Sequence, residues 1–135
     1  MSIFSSPLAM VRLLLVDAAT CVTMGMLLTV GAGPIGRVTQ IPPDLLFYAG
    51  LVLFPIGAFM AVVATRPAIS PAAVRLIVLG NFAWVAGSLL ILVGGWIAPN
   101  TVGLIFVMAQ ALVVAALALL EHGALRAAFP RPGTA

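Results

Sequence analysis

Charged residues are scarce in this sequence: they make up 7% of its 135 residues, as six arginines and three acids, and lysine is absent. In soluble domains about a quarter of the residues are charged. Hydrophobic residues make up 64%, and the mean hydropathy is +1.29. A chain of this length cannot bury so much apolar surface in a core of its own, so lipid must cover the rest. The composition therefore excludes a soluble globular domain and predicts an integral α-helical membrane protein.

Cysteine and histidine occur once each, as Cys21 and His122. A single cysteine cannot form an internal disulfide, and inside an apolar run it is best interpreted as a small buried side chain. A metal site needs several protein ligands, and the candidates are limited to Asp17, Glu121 and His122, so we expect no metal and no cofactor. Phosphate-binding loops, Ser-His-Asp sets and CxxC motifs are also missing, so the sequence does not predict an enzyme.

Four long apolar runs predict an all-α fold, a four-transmembrane-helix bundle that forms one domain over residues 1–135. The predicted helices cover about 7–30, 45–65, 71–93 and 101–126. Each is long enough to cross about 30 Å of hydrocarbon. Ser6-Pro7 and Ser70-Pro71 have the pattern of a helix N-cap followed by a first-turn proline.

The connections are predicted to be short. Residues 31–34 contain glycines and a proline that should end the first helix, and residues 35–43 should form a loop. Asp44 is expected to cap the second helix, and Pro55 should kink it. Pro99-Asn100-Thr101 predicts a turn and a cap into the fourth helix.

The arginines are distributed unequally between the two ends of the predicted helices. One side holds Arg12, Arg66, Arg75, Arg126 and Arg131, and the other side holds Arg37. Positive charge in short loops marks the cytoplasmic side, so both termini are expected in the cytoplasm. The use of arginine in place of lysine and the richness in alanine and glycine are typical of a GC-rich bacterial genome, so the chain is expected in a bacterial inner membrane. Because the arginines flank apolar spans, the basic pI of 10.6 indicates topology, and no nucleic-acid partner is expected.

The two halves of the sequence are similar in pattern. Ser6-Pro7 aligns with Ser70-Pro71 and Asp17 with Asn81 at the same spacing, and Gly25 aligns with Gly87 after a slip of two residues. A duplicated helix hairpin would place the two copies about a pseudo-twofold axis along the membrane normal. Chance similarity between leucine- and glycine-rich spans is the alternative, and the sequence leaves both open.

Polar residues are predicted to gather inside the bundle. Asp17 lies five residues beyond Arg12, about 7 Å deeper along a helix. Counting inward from Arg75 and from Arg126 brings polar residues of the third and fourth spans to a similar depth. The predicted intramembrane cluster is Asp17, Asn81, Trp84, Gln110, Glu121 and His122, below the interface arginines Arg12, Arg75 and Arg126.

Two interpretations of this cluster stay open. It could line a shallow cavity, open to the cytoplasm, that holds a proton, a cation or a small headgroup, because intramembrane acids are costly and usually functional. It could instead supply structural hydrogen bonds between helices, worth about 0.6 to 2 kcal/mol each.

Small residues mark two helix faces. Ala83 and Gly87 are one such pair, and Ala111, Ala115 and Ala118 form a second ridge. Such faces allow helices to approach closely, either within the fold or with another subunit.

Three stretches carry a resemblance: "VRLLLVDA" in the first span, "NFAWVAGSLL" in the third and "AQALVVAALALLEHGALR" in the fourth. With them the chain resembles small bacterial four-helix inner-membrane proteins, and it is similar to DoxX-like proteins in size and topology. The resemblance implies a fold and a location, but no activity. Small multidrug transporters also have four spans and an acid in the first. This chain differs from them in that Asp17 lies near the predicted cytoplasmic end of its span and in that a further acid, Glu121, is present in the fourth.

Three functions are compatible with these features. The first is a non-enzymatic accessory or interaction subunit of a larger membrane assembly, with lipid, other membrane subunits or further copies of itself as partners. The second is a small proton- or cation-coupled transporter that uses Asp17. The third is a protein that binds lipid or quinone near Asn81, Trp84 and Gln110.

Overall fold

A computed structural model describes residues 6–133, and within that range 83% of the residues are helical and none is in a strand. The helices are α1 (Pro7–Val30), α2 (Ala32–Thr39), α3 (Pro43–Thr65), α4 (Pro71–Val93) and α5 (Thr101–Ala128). Four of them, α1, α3, α4 and α5, are long and apolar enough to cross a membrane. The chain is therefore a multi-pass membrane protein, and the predicted all-α class and four-helix bundle are confirmed.

Side-chain caps define the starts of three spans. Ser6, Ser70 and Asn100 each accept a hydrogen bond from the backbone N–H three residues ahead, at 3.2, 3.3 and 2.9 Å. The first backbone N–H groups of a helix have no partner within it, so these caps satisfy groups that lipid could not. These helices start where the sequence predicts.

The expected loop at residues 35–43 is wrong, because most of it belongs to the short helix α2. The prediction treated Pro34 as a helix breaker, but Pro34 is the third residue of α2. A proline in the first turn lacks only an N–H that would have no helical partner, so the helix continues past it. It ends at Thr39, and the C-cap residue Gln40 adopts a left-handed conformation with a φ of 57°.

The expected capping role of Asp44 is also wrong. Helix α3 begins at Pro43, so its N-cap residue is Pro42, and no side chain caps the helix. Asp44 is exposed in the first turn, where a negative charge interacts favourably with the helix dipole. Pro55 lies within α3 and does not end it.

The four spans form two pairs, α1 with α3 and α4 with α5, and the first pair is the more extensively packed. Glycines bring its two backbones together. A Cβ atom added to Gly50 would lie 2.9 Å from the carbonyl oxygen of Gly25, and one added to Gly57 would lie 3.1 Å from that of Ala18. Small residues allow this close approach in membranes, where van der Waals packing holds helices together.

The small faces predicted from the sequence differ in environment. Ala111 and Ala118 are buried, and Ala115 is half-buried. Ala83 is exposed, and a Cβ atom added to Gly87 would meet nothing within 4 Å. The Ala83–Gly87 pair therefore does not bring α4 close to another helix of the described chain.

The bundle has two ends. The terminal end holds the starts of α1 and α4 and the ends of α3 and α5; the opposite end, which we call the α2 end, holds α2. At the α2 end the backbone N–H of Asn100 donates to the carbonyl oxygen of Thr39 at 3.1 Å. The Asn100 side chain donates to the carbonyl oxygen of Val38 at 2.8 Å. These bonds tie the start of α5 to the end of α2.

Candidate functional site

Three polar side chains from three different helices meet in the interior of the bundle. Asp17 comes from α1, Asn81 from α4 and Glu121 from α5. Asp17 and Asn81 are each the eleventh residue of their helix, about 15 Å from its start. Asp17 and Asn81 therefore lie near the middle of α1 and α4.

The amide group of Asn81 bridges the two carboxyl groups. Its Nδ2 donates to Asp17 Oδ2 at 2.7 Å and to Glu121 Oε2 at 3.1 Å. The side chains are almost completely enclosed: Asp17, Asn81 and Glu121 are 1%, 6% and 0% exposed. We call these three residues the triad. It is closed, because a water-sized void beside the carboxyl groups would raise their exposure, so the predicted open cavity does not reach them.

The two acids differ in how their oxygens are satisfied. Asp17 accepts a second, weak hydrogen bond at Oδ1 from the thiol of Cys21, at 3.9 Å. Glu121 Oε1 has no partner, and it is the one buried side-chain oxygen or nitrogen in this condition within residues 6–133. Buried polar atoms in folded proteins nearly always have a partner, so this oxygen requires an explanation.

No positive charge belongs to the triad. The predicted interface arginines Arg12, Arg75 and Arg126 are all exposed, and none of the hydrogen bonds of the two carboxyl groups involves them. The cluster thus contains two acids and one neutral amide. An enclosed carboxylate without a cation is costly, and two side by side also repel each other.

A second polar network lies toward the α2 end, between α4 and α5. Trp84 Nε1 donates to Gln110 Oε1 at 2.8 Å, and Gln110 Nε2 donates to Ser88 Oγ at 3.0 Å. The Ser88 hydroxyl donates in turn to the carbonyl oxygen of Trp84 at 2.8 Å. The groups of this network are neutral and satisfy one another. The cluster predicted from the sequence is thus divided into an acidic triad and a neutral network.

His122 belongs to neither group. It follows Glu121 in the sequence, yet its side chain is exposed, whereas that of Glu121 is fully buried. Successive residues of an α-helix point about 100° apart, so only one of the two can face the interior.

Sequence reasoning assigned Cys21 to apolar packing and did not predict its contact with Asp17. The signal was present in the four-residue spacing, which places both side chains on one face of α1.

Comparison with known proteins adds no assignment: no protein-family model, no curated protein and no solved structure matches this chain. The resemblance to small bacterial inner-membrane proteins stays a prediction. The function must therefore be inferred from the geometry of the triad. An enclosed pair of carboxyl groups with one unsatisfied oxygen can bind a proton or a small cation, or it can hold helices together.

Proposed function

We propose that this chain is a small proton- or cation-coupled transporter, with the triad as its ion-binding site. The observation that supports it is the fully enclosed Glu121 Oε1, which has no hydrogen-bond partner beside a second buried acid. Acidic groups in spans are expensive and commonly mark ion pathways and proton relays. A bound proton or cation would remove both the unsatisfied oxygen and one negative charge.

The alternative, a purely structural role, explains the acids less well. The same bundle contains a network built from Trp84, Ser88 and Gln110, in which neutral groups satisfy one another. Such bonds already link α4 to α5 at about 0.6 to 2 kcal/mol each. A second buried acid adds electrostatic cost without adding a hydrogen bond that a neutral amide could not make.

The arrangement of the helices is suited to movement at the site. The triad joins α1 of one helix pair to both helices of the other pair. Between the end of α3 and the start of α4 lies an open cleft of about 360 Å³, lined by Phe59, Val62 and Arg66 among others. Transporters often work by the movement of one bundle against another around a central site. From the distribution of the arginines, we infer that the terminal end of the bundle, where this cleft lies, faces the cytoplasm.

Charge movement in reconstituted vesicles tests this function. The chain would be placed in phosphatidylcholine–phosphatidylglycerol liposomes on a solid-supported membrane, and currents recorded after a jump in pH and, separately, a jump in sodium at constant pH. The wild-type chain should give a transient current after at least one of the two jumps. Asp17→Asn should lose it, since the variant keeps a similar shape and can still accept from Asn81 but loses the charge.

Asp44→Asn is the matched control, because Asp44 is exposed at the α2 end and is remote from the triad. Circular dichroism should verify that each variant keeps its helix content. If Asp17→Asn does not fold, Glu121→Gln serves as the second variant. Currents no larger than those of protein-free liposomes, or currents unchanged in both variants, would refute the transporter proposal.

A second candidate function, an accessory subunit of a membrane assembly, is favoured by the surface of α4. In the most apolar stretch of α4, 17% of the residues are buried, against 28–33% in the corresponding stretches of the other spans. Cβ atoms added to Gly80 and Gly87 would meet nothing within 4 Å. A span with an uncovered face of small residues can pack closely on a helix of another subunit.

Mass measurement in mild detergent distinguishes this candidate. Association through α4 predicts a dimer or a complex with a co-purifying membrane protein, which Gly87→Leu should dissociate and Gly123→Leu, at another open position, should not. A strict monomer without a partner would count against it.

Lipid or quinone binding stays a prediction, because the polar groups of Trp84 and Gln110 are engaged with protein partners.

A further inference from the structure

Hydrogen-bond donors are shared unequally between the two carboxyl groups of the triad. Asp17 has a donor at each oxygen: Asn81 at 2.7 Å and the Cys21 thiol at 3.9 Å. Glu121 has one donor, Asn81 at 3.1 Å, and its Oε1 has none. Hydrogen bonds to a carboxylate stabilise its ionised form. The surroundings therefore favour a negative charge on Asp17 over one on Glu121.

The two carboxyl groups also lie close together, because both accept a hydrogen bond from the same Nδ2 group of Asn81. Two carboxylates at such a distance in an enclosed site cannot both stay ionised at low cost, and pairs of this kind commonly share a proton. A proton on Glu121 Oε1 would convert the unsatisfied oxygen into a donor toward Asp17. One proton would thus satisfy Glu121 and remove the repulsion between the two acids.

A metal cation fits the same site poorly. Sodium and other hard cations require several oxygen ligands and room for their radius. Asp17 and Glu121 are 1% and 0% exposed, so their surroundings leave almost no room for a cation. Asn81 presents its NH₂ group to both carboxyl groups. Residues 6–133 also contain no group of three His, Cys, Asp or Glu side chains that could hold a metal.

On the basis of the proposed transport function, we propose that the ion bound at the triad is a single proton, carried on Glu121 Oε1 and shared with Asp17. The proton forms an O–H bond on Glu121 and a hydrogen bond to Asp17, and the pair keeps one negative charge. Loss of the proton to water leaves two carboxylates on one amide.

Few other groups can influence this proton. Within the site, α1 contributes the titratable side chains of Asp17 and Cys21, which contact each other, and α4 contributes the neutral Asn81, which binds both Asp17 and Glu121. Helix α3 carries no titratable side chain between Tyr48 and Arg66, and Arg37 of α2 lies at the other end of the bundle. The neighbours of Glu121 on its own helix, His122 and Arg126, are exposed. A proton at this site should therefore be held by Asp17 and Glu121.

The sequence allows this proton to be assigned without a substitution, because Glu121 is the one glutamate in the chain. The wild-type protein would be made by cell-free synthesis with glutamate labelled with ¹³C at its side-chain carboxyl, and reconstituted in phosphatidylcholine–phosphatidylglycerol liposomes. Infrared spectra at neutral pH report the carbonyl stretching band of protonated carboxyl groups. We expect one such group per chain, and its band should shift to lower frequency with the labelled glutamate.

A second sample carries ¹³C at the side-chain carboxyls of its aspartates, Asp17 and Asp44, and its band should not shift. Sodium chloride added at constant pH should leave the band unchanged. No protonated-carboxyl band, two such groups per chain, a shift with labelled aspartate alone, or loss of the band with sodium would each overturn the assignment.

The outcomes for function and for assignment can be separated. Jump currents without the glutamate band would leave the transporter proposal standing and remove the proton assignment. The band without any current would keep the bound proton and refute transport.

Discussion

The close contact between α1 and α3 gives the most direct test of the packing that positions Asp17. A Cβ atom on Gly50 would lie 2.9 Å from each of three atoms: the Gly25 carbonyl oxygen, Leu28 Cβ and Thr29 Cγ2. None of the three belongs to the far end of a flexible side chain, so Gly50→Ala must push the two helices apart. Overpacking of this kind costs about 1–3 kcal/mol.

Gly80→Ala provides the matched comparison. Gly80 is also in the interior of a span, but a Cβ atom there would meet nothing within 4 Å. The intrinsic advantage of alanine over glycine in a helix, about 0.5–1 kcal/mol, applies to both variants and cancels in their difference. Gly50→Ala should therefore be less stable than Gly80→Ala by about 1–3 kcal/mol.

Reversible unfolding in mixed detergent micelles, followed by circular dichroism, measures this difference as a free energy of unfolding. Equal stabilities of the two variants would refute the close approach of the α1 and α3 backbones. In that case the placement of Asp17 against α4 and α5 would also lose its support, because α1 is held mainly by α3.

Two further predictions concern the α2 end and use the same assay. Gln40 is exposed with a φ of 57°, so Gln40→Gly should stabilise the chain by about 1 kcal/mol, and an unchanged stability would show that this conformation is not strained. Asn100→Ala should cost about 2 kcal/mol, because it removes both the cap on Gly103 and the bond to Val38. Asn100→Ser can keep the cap and should cost about half as much; equal costs for the two variants would show that the bond to Val38 contributes nothing.

The spans could be predicted from the sequence because their signals are local. A long apolar run identifies a span, and a serine or asparagine before it fixes its first residue, as at Ser6, Ser70 and Asn100. Helix α2 was missed for an equally local reason. A proline ends a helix at most positions but is tolerated in the first turn. Whether Pro34 breaks a helix therefore depends on where that helix begins.

The contacts between helices were harder to predict, because they depend on how each helix is rotated and shifted against its neighbours. Counting residues inward from the arginines gives a depth along each helix and no rotation, so His122 was grouped with Glu121 although their side chains point in different directions. The approach of Gly25 and Gly50 requires the register of α1 against α3. Glycines are common in spans, and the sequence does not distinguish these two from Gly80.

The presence of two acids, and not one, determines what a proton could do at the triad. With the shared proton, both carboxyl groups bind the same amide and each other, and α1 is held to α4 and α5. Without it, two carboxylates are bound to one amide; unit charges at a separation of about 5 Å repel by about 3 kcal/mol at an effective dielectric constant of about 20. The two hydrogen bonds of Asn81 contribute about 0.6 to 2 kcal/mol each. Repulsion and attraction are thus of similar size, so one proton is enough to change which of them prevails. A single acid that lost its proton would have no second negative charge beside it. It would therefore not be repelled, and it could not drive the helix pairs apart in this way.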